Sequence, residues 1–185
     1  SRIMEQLWNL FDEADIVIAH NAVKFDCRKA NTRFIANGLK LPSPVKVVDT
    51  LKMARRDFAF TSNRLGDLGV FLGVGKKLKT GGFDLWKGCM SGHKPSWDKM
   101  VKYCKGDVRL LEKVYLKLRP FSRNHPNSGV YEGEMKCICG STRLQKRGFA
   151  VTNAQRYQRY QCQSCGSWCR DKIATIKGRR LTANV

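Results

Sequence analysis

The chain has 185 residues, enough for one ordinary domain and a small additional module, and an apolar share of 42% that permits a buried core. Its net charge of +20 favours polyanionic partners and argues against acidic ones, while saying nothing about fold. No stretch approaches the ~20 apolar residues of a membrane-spanning helix, and no signal peptide is visible, so a membrane or secreted protein is not expected.

In chain order, Ile3, Leu7, Leu10 and Phe11 recur at helical spacing and predict an amphipathic helix over residues 2–13. Ile16–Ala19 is a short apolar run that fits a buried strand. A second helix fits residues 26–37, with Ala30, Phe34 and Ile35 on one face and Gly38 just past its end. After Pro42 and Pro44, the β-branched Val45-Lys46-Val47-Val48 predicts a strand ending at Asp49. Thr50–Arg56 fits a short helix, Leu65–Leu72 another, and the Gly- and Lys-rich residues 73–83 a loop. Ser96 is the expected N-cap of the longest helix, Trp97–Leu118, whose apolar stripe includes Met100, Val101, Cys104, Val108, Leu111, Val114, Tyr115 and Leu118. Pro120 ends it. Residues 121–134 have linker composition, so the boundaries expected are 1–120, a linker at 121–134, a small module at 135–170 and a basic tail at 171–185.

Charge and cysteine usage separate the two ends. Residues 136–185 hold 11 basic and 1 acidic residue, against 24 and 14 in residues 1–135, so positive charge is densest at the C-terminal end. A solubilising surface and a nucleic-acid contact are both open, and the density favours the second. Cys27, Cys89 and Cys104 are scattered, whereas Cys137, Cys139, Cys162, Cys165 and Cys169 cluster. Clustered pairs read as metal ligands in a reducing, cytoplasmic setting rather than as disulfides. The start at Ser1, without an initiator Met, is expected of a fragment or a processed product.

Two short motifs carry the chemistry. His20-Asn21-Ala22-Val23-Lys24-Phe25-Asp26 follows the first strand, and Tyr103-Cys104-Lys105-Gly106-Asp107 lies in the longest helix. Tyr103 and Asp107 are four residues apart and share a helix face. Phosphodiester hydrolysis is served by two divalent ions about 4 Å apart. Mg²⁺ or Mn²⁺ takes carboxylate oxygens, and a neighbouring tyrosine can orient the attacking water. Against this, Asp26 can also be read as an acidic residue facing a helix dipole, and Tyr103 with Asp107 as an ordinary partly buried pair on a helix. Gly106 costs ~1 kcal/mol in a plain helix, which points to a close approach at that position.

These residues resemble the DEDD superfamily of 3′–5′ exonucleases, and especially the proofreading domains of family-B polymerases, over about residues 3–120. Asn21-x-x-x-Phe25-Asp26 is similar to that family's second motif, and Tyr103-x-x-x-Asp107 to its third motif in the tyrosine subclass (DEDDy). The histidine subclass would need His where this chain has Lys102. Val48-Asp49-Thr50-Leu51 is also commonly seen there. The resemblance implies a ribonuclease-H-like fold, Asp26 and Asp107 as Mg²⁺ or Mn²⁺ ligands, Tyr103 as the water-positioning residue, and His20 and Asn21 lining the site. It implies a single-stranded DNA or RNA 3′ end as substrate.

The family's first motif, Asp-x-Glu on the central strand, does not occur in this sequence. The nearby Asp12-Glu13-Ala14-Asp15 reads as a solvated helix end. Only two strands are readable before residue 120 where the family has more, so the expected fold is α/β, a partial ribonuclease-H-like fold without its N-terminal strands. The chain alone is therefore expected to be inactive, with exposed sheet edges and poor solubility.

Cys137-Ile138-Cys139-Gly140 and Cys162-Gln163-Ser164-Cys165-Gly166 form two knuckles of the kind that suits tetrahedral Zn²⁺, with Cys169 as a spare ligand. They resemble the zinc ribbons of phage proteins and transposases, which implies a small β module and a bacterial or phage origin. Arg147, Arg156 and Arg159 interleave with Tyr157 and Tyr160, beside Trp168 and Arg170, as expected for single-stranded nucleic acid. The same rings can instead pack the module's core. The rival to a metal-dependent 3′–5′ exonuclease is a non-catalytic nucleic-acid-binding protein on a nuclease-like scaffold. A transposase-like fragment is a third reading.

Overall fold

The computed structural model describes residues 1–175 and divides into two compact units, Ser1–Leu118 and one that begins at Arg119. Lys177, Arg179 and Arg180 of the expected basic tail lie outside the described residues.

In the first unit, α1 (Arg2–Glu13) leads into β1 (Ile16–Ala19), α2 (Asp26–Ala36) and β2 (Lys46–Asp49). The two strands pair in parallel from Ile16↔Lys46 to Ala19↔Asp49. A parallel pair needs a crossover, and α2 supplies it. This register places Ala19 and Asp49 at one end of the pair, where the His20–Asp26 segment and α3 (Thr50–Asp57) both begin. Among the described residues β1 pairs with β2 alone. Helix α1 contributes no buried residue, and Ile3 and Leu10 are exposed. Asp12, in the cluster read as a solvated helix end, accepts hydrogen bonds from the Ser43 amide (2.8 Å) and hydroxyl (2.9 Å) and so ties α1 to the segment entering β2.

The main core joins Val48, Met53, Ala54, Leu65 and Leu68 to Leu110, Val114, Tyr115 and Leu118. It packs β2, α3 and α4 (Leu65–Phe71) against α6 (Lys94–Leu118). The close fit of α4 onto α6 depends on Gly69, where an added Cβ would lie 2.7 Å from the Gly75 carbonyl oxygen and 2.7 Å from Leu110 Cδ1. Backbone cannot yield as a side-chain tip can, so Gly69→Ala is expected to lower the unfolding free energy by ~1–3 kcal/mol in chemical denaturation.

Two features depart from the expected elements. Helix α5 (Phe83–Met90) forms where the sequence offered little signal, because only Leu85 and Cys89 are buried, against Met100 and the half-buried Tyr103. Ser96 is not the N-cap of α6: the helix starts at Lys94, with Pro95 in its first turn, and Ser96 Oγ sits 2.9 Å from His93 Nδ1. At Gly106 the near neighbour is Leu78, 3.4 Å from an added Cβ, so the 72–82 segment lies against this face of α6.

The second unit opens with a 3-10 turn (Arg119–Phe121) and a short helix α7 (Gly129–Glu132) inside the stretch of linker composition. It continues as a three-stranded antiparallel sheet of β3 (Leu144–Val151), β4 (Arg156–Cys162) and β5 (Trp168–Arg170), with β4 in the centre. A bulge between Lys146 and Phe149 shifts the β3–β4 register. Tyr160, Cys162 and Cys137 are its buried hydrophobic residues among those described.

Candidate functional site

The residue that organises the strand ends is Asp49, whose side chain is buried at the last position of β2. Its carboxylate accepts hydrogen bonds from the amides of Asn21 (2.9 Å), Val23 (3.3 Å), Leu51 (3.0 Å) and Lys52 (3.3 Å). Two of these cap α3 and two fix the His20–Asp26 loop. Asn21 is the one non-glycine residue described with a left-handed backbone, φ 68°, a conformation Asn tolerates better than most. His20 Nδ1 lies 2.9 Å from Thr50 Oγ1. Burial pushes the His20 pKa below its ordinary value, outweighing the hydrogen bond to the Asn63 backbone and the field of Asp49.

That shift has a definite sign. A histidine whose folded pKa lies below its unfolded 6.5 contributes stability above pH 6.5 and loses it as pH falls toward the folded value. Unfolding free energy measured downward from pH 7 is expected to fall more in the native chain than in His20→Gln, and parallel curves would refute it.

On α6, Tyr103 and Asp107 are brought together by Lys77, from the Gly- and Lys-rich loop. Lys77 Nζ is 2.7 Å from Asp107 Oδ2 and donates to the Tyr103 hydroxyl at 3.1 Å. Burial alone would lower the Lys77 pKa, but its bonds to Asp107 and Tyr103 outweigh that and hold it above the ordinary lysine value. Asp107 Oδ1 is buried and, among the described residues, has no hydrogen-bond partner. An open cleft of about 480 Å³ is lined by His20, Asn21, Arg55, Asn63, Arg64 and Lys77 among others. The loop after β1 and the cation that grips the α6 pair therefore border one basic space. A second hollow, of about 410 Å³ beside Phe34, Ile35, Leu41 and Pro42, is largely apolar and has no carboxylate in its lining.

Asp26 is exposed at the first residue of α2. Burial raises the Cys27 pKa, and the fields of Asp26 and Asp49 add to it. Sequence reasoning did not single out Lys77 or Asp49 as site-building residues. Lys77 was one of several lysines in a glycine-rich loop, and Asp49 was visible only as a strand end.

In the second unit, Cys137, Cys139, Cys162 and Cys165 bring their sulfurs within 4.8 Å of one another, an arrangement that can hold a metal ion. Cys137 and Cys165 sulfurs are 3.6 Å apart, and Cys139 and Cys162 sulfurs 3.7 Å. Gly140 (φ 86°) and Gly166 (φ 75°) take the left-handed turns that fold each knuckle. Burial would raise the Cys162 thiol, yet hydrogen bonds from the Cys165 and Ser164 amides and from the Cys139 and Cys137 thiols bring it down to about 6. Burial leaves the Cys137 pKa raised. Cys169 stays outside the cluster, its sulfur 4.0 Å from the Tyr160 carbonyl oxygen.

Of the aromatic and basic residues expected to meet nucleic acid, Arg147, Arg156 and Arg159 are exposed and Tyr157 is half-buried. Tyr160 is 7% exposed, with its hydroxyl 3.3 Å from Asp171 Oδ2, which places it in the core rather than on a binding face.

The first unit is thus a mixed α/β structure in which the loop after β1 and Lys77 border a cationic cleft. Residues 1–119 match the RNase_H_2 family model, and the chain belongs to the RNase_H superfamily. No curated protein and no solved structure matches it. Membership supports a nuclease-type enzyme acting on nucleic acid. Among the described residues no helix is long and apolar enough to cross a membrane.

Proposed function

We propose that the chain carries part of a DEDDy-type 3′–5′ exonuclease site together with a zinc ribbon that grips single-stranded DNA or RNA. The observation that supports the first half most is the Lys77–Tyr103–Asp107 group, whose Lys77 lines the same cleft as His20 and Asn21. The unpartnered Asp107 Oδ1 is a hard oxygen donor shut away from water, which fits a Mg²⁺ or Mn²⁺ ion. Asp26 and Asp107 would hold the ion. When bound, it supplies an activated water and charge stabilisation at the leaving oxygen.

The chain's own groups do the rest. The Tyr103 hydroxyl accepts from Lys77, so its own proton is free to point at a water and orient it. Arg55 and Arg64 give the cleft the positive charge that a phosphodiester requires. Asn21, held in its left-handed turn, presents its amide side chain to the cleft. Two carboxylates are few for two strongly hydrated ions, and no Asp-x-Glu occurs in this sequence. Residues 1–185 alone are therefore expected to release no nucleotides from labelled 3′ ends in Mg²⁺ or Mn²⁺. Robust degradation abolished by Asp26→Ala would refute that inactivity and support the site.

For the second half, the four thiols fit Zn²⁺, because Zn–S bonds of ≈ 2.3 Å set sulfurs about 3.8 Å apart around a tetrahedron. Elemental analysis is expected to find one zinc per chain. The alternative, a non-catalytic nucleic-acid-binding protein, is favoured by the Lys77–Asp107 ion pair, which already neutralises the carboxylate without a metal.

A further inference from the structure

Strand register sorts the residues of β3, β4 and β5 onto two faces. Successive side chains alternate, and directly paired residues share a face. Tyr160 pairs with Cys169 and lies on the face of Cys162, the buried side. Tyr157, Arg159 and Gln161 point the other way, with Arg170 opposite Arg159 and Trp168 opposite Gln161. On that second face the Arg159 guanidinium lies 4.8 Å from the Trp168 ring centre, and the Arg170 guanidinium 3.9 Å from that of Tyr157. Arg159 and Trp168 are exposed, as is Arg170.

The arrangement is held in place. Arg159 Nε donates to the Arg147 carbonyl oxygen at 3.0 Å, which orients the guanidinium plane. Gly148, at the bulge with φ 63°, leaves room beside Arg159 Nη2, which would be 3.7 Å from an added Cβ. None of the residues this register places on the face is acidic, and the glutamines at 145 and 161 add neutral amides. The face therefore presents flat rings and flat cations in alternation, with no acidic residue among the strand positions the register places on it.

We infer that this face, centred on Tyr157, Arg159, Trp168 and Arg170, binds single-stranded polynucleotide by stacking bases on the rings and guanidinium planes while the arginines meet phosphates. The inference rests on the reading that the chain acts on nucleic acid and deepens it. It assigns the contact to one face of the sheet and withholds it from Tyr160 and Arg156. Duplex nucleic acid keeps its bases stacked on one another and so offers this face charge alone.

The test is fluorescence anisotropy of labelled 20-nucleotide oligo-dT and oligo-U with the full chain, zinc present and Mg²⁺ and Mn²⁺ omitted. Without those ions cleavage plays no part, so failure of the exonuclease reading leaves the result untouched. Trp168→Ala is expected to bind both oligomers about ten-fold more weakly, and Trp168→Phe, which keeps a ring, to recover most of that loss. Arg170→Ala is expected to flatten the dependence of log affinity on log salt by about 0.7, the value for one phosphate contact on a single strand. Arg156→Ala, on the opposite face, should change affinity less than two-fold. Native affinity in Trp168→Ala, or equal affinity for a duplex of the same length, would overturn the proposal.

Discussion

Cys162→Ser is expected to abolish the β3–β4–β5 sheet, and removing metal with a chelator under reducing conditions should do the same. The reason lies in what is buried. Among the described residues of the second unit, the buried hydrophobic side chains are Cys137, Tyr160 and Cys162, so two of the three are sulfurs of the proposed zinc site. A module this small has too little apolar burial to offset chain entropy unless something staples it. Zinc bound by such knuckles contributes an apparent ~10–16 kcal/mol at neutral pH, far more than the ring of Tyr160 can. Loss of the Trp168 near-ultraviolet signal, compared against a Trp168→Phe background, would follow the collapse. Cys169→Ser is the control: its sulfur stands outside the cluster, and the sheet should survive.

Acid acts through the same site. The Cys162 thiol is depressed to about 6, so that sulfur is a thiolate at neutral pH and a ready ligand. A depressed group contributes stability above its unfolded pKa and loses it as pH falls through the folded one. Protons compete with the metal for this sulfur, so acidification is expected to release zinc, read as zinc freed to a chelating dye. A Cys162→Ser protein with a full zinc complement and an intact sheet would remove the cluster from its structural role.

What the sequence showed and what it hid have different physical origins. The helices α1, α2 and α6 were readable because apolar residues recur at helical spacing, and β1 and β2 because β-branched residues run together. Helix α5 was not, since only Leu85 and Cys89 turn inward over eight residues and the Gly81-Gly82 pair ahead of it reads as loop. Strand β5 is three residues long, too short for any alternation to register. The knuckle cysteines were legible because ligand spacing is local, and the structure draws all four together.

The proposed site of the first unit was legible only as types and spacings. Tyr103 and Asp107 share a helix face by arithmetic, but nothing in the sequence says that Lys77, 26 residues before Tyr103, will reach both. Long-range pairs of this kind depend on where a loop lands. The glycine at 106, which suggested a close approach, meets Leu78 only at ordinary van der Waals distance, so the structure does not require a glycine there.

Asp49→Ala is expected to cost the first unit ~3 kcal/mol, the largest single loss among its carboxylates. Four amides converge on this side chain, and all four belong to segments that begin where the parallel strands end. Alanine would remove the cap of α3, worth ~1 kcal/mol, and leave the Asn21 and Val23 amides without their acceptor. Thr50, next in sequence, is fully buried, so water cannot easily reach in to replace the carboxylate. The loop would then lose what holds Asn21 in its left-handed conformation, and with it the placement of Asn21 and His20 along the cleft. Asp49→Asn keeps one oxygen acceptor and should lie between the two. The same bonds separate Asp49 from the proposed metal ligands: a carboxylate already engaged by four amides has little left to offer an ion, whereas Asp107 Oδ1 has no partner among the described residues. Denaturation with and without Mn²⁺ distinguishes the roles. Asp49→Ala should be destabilised by the same amount in both, and a loss seen only with Mn²⁺ would make Asp49 a ligand instead of a structural clasp.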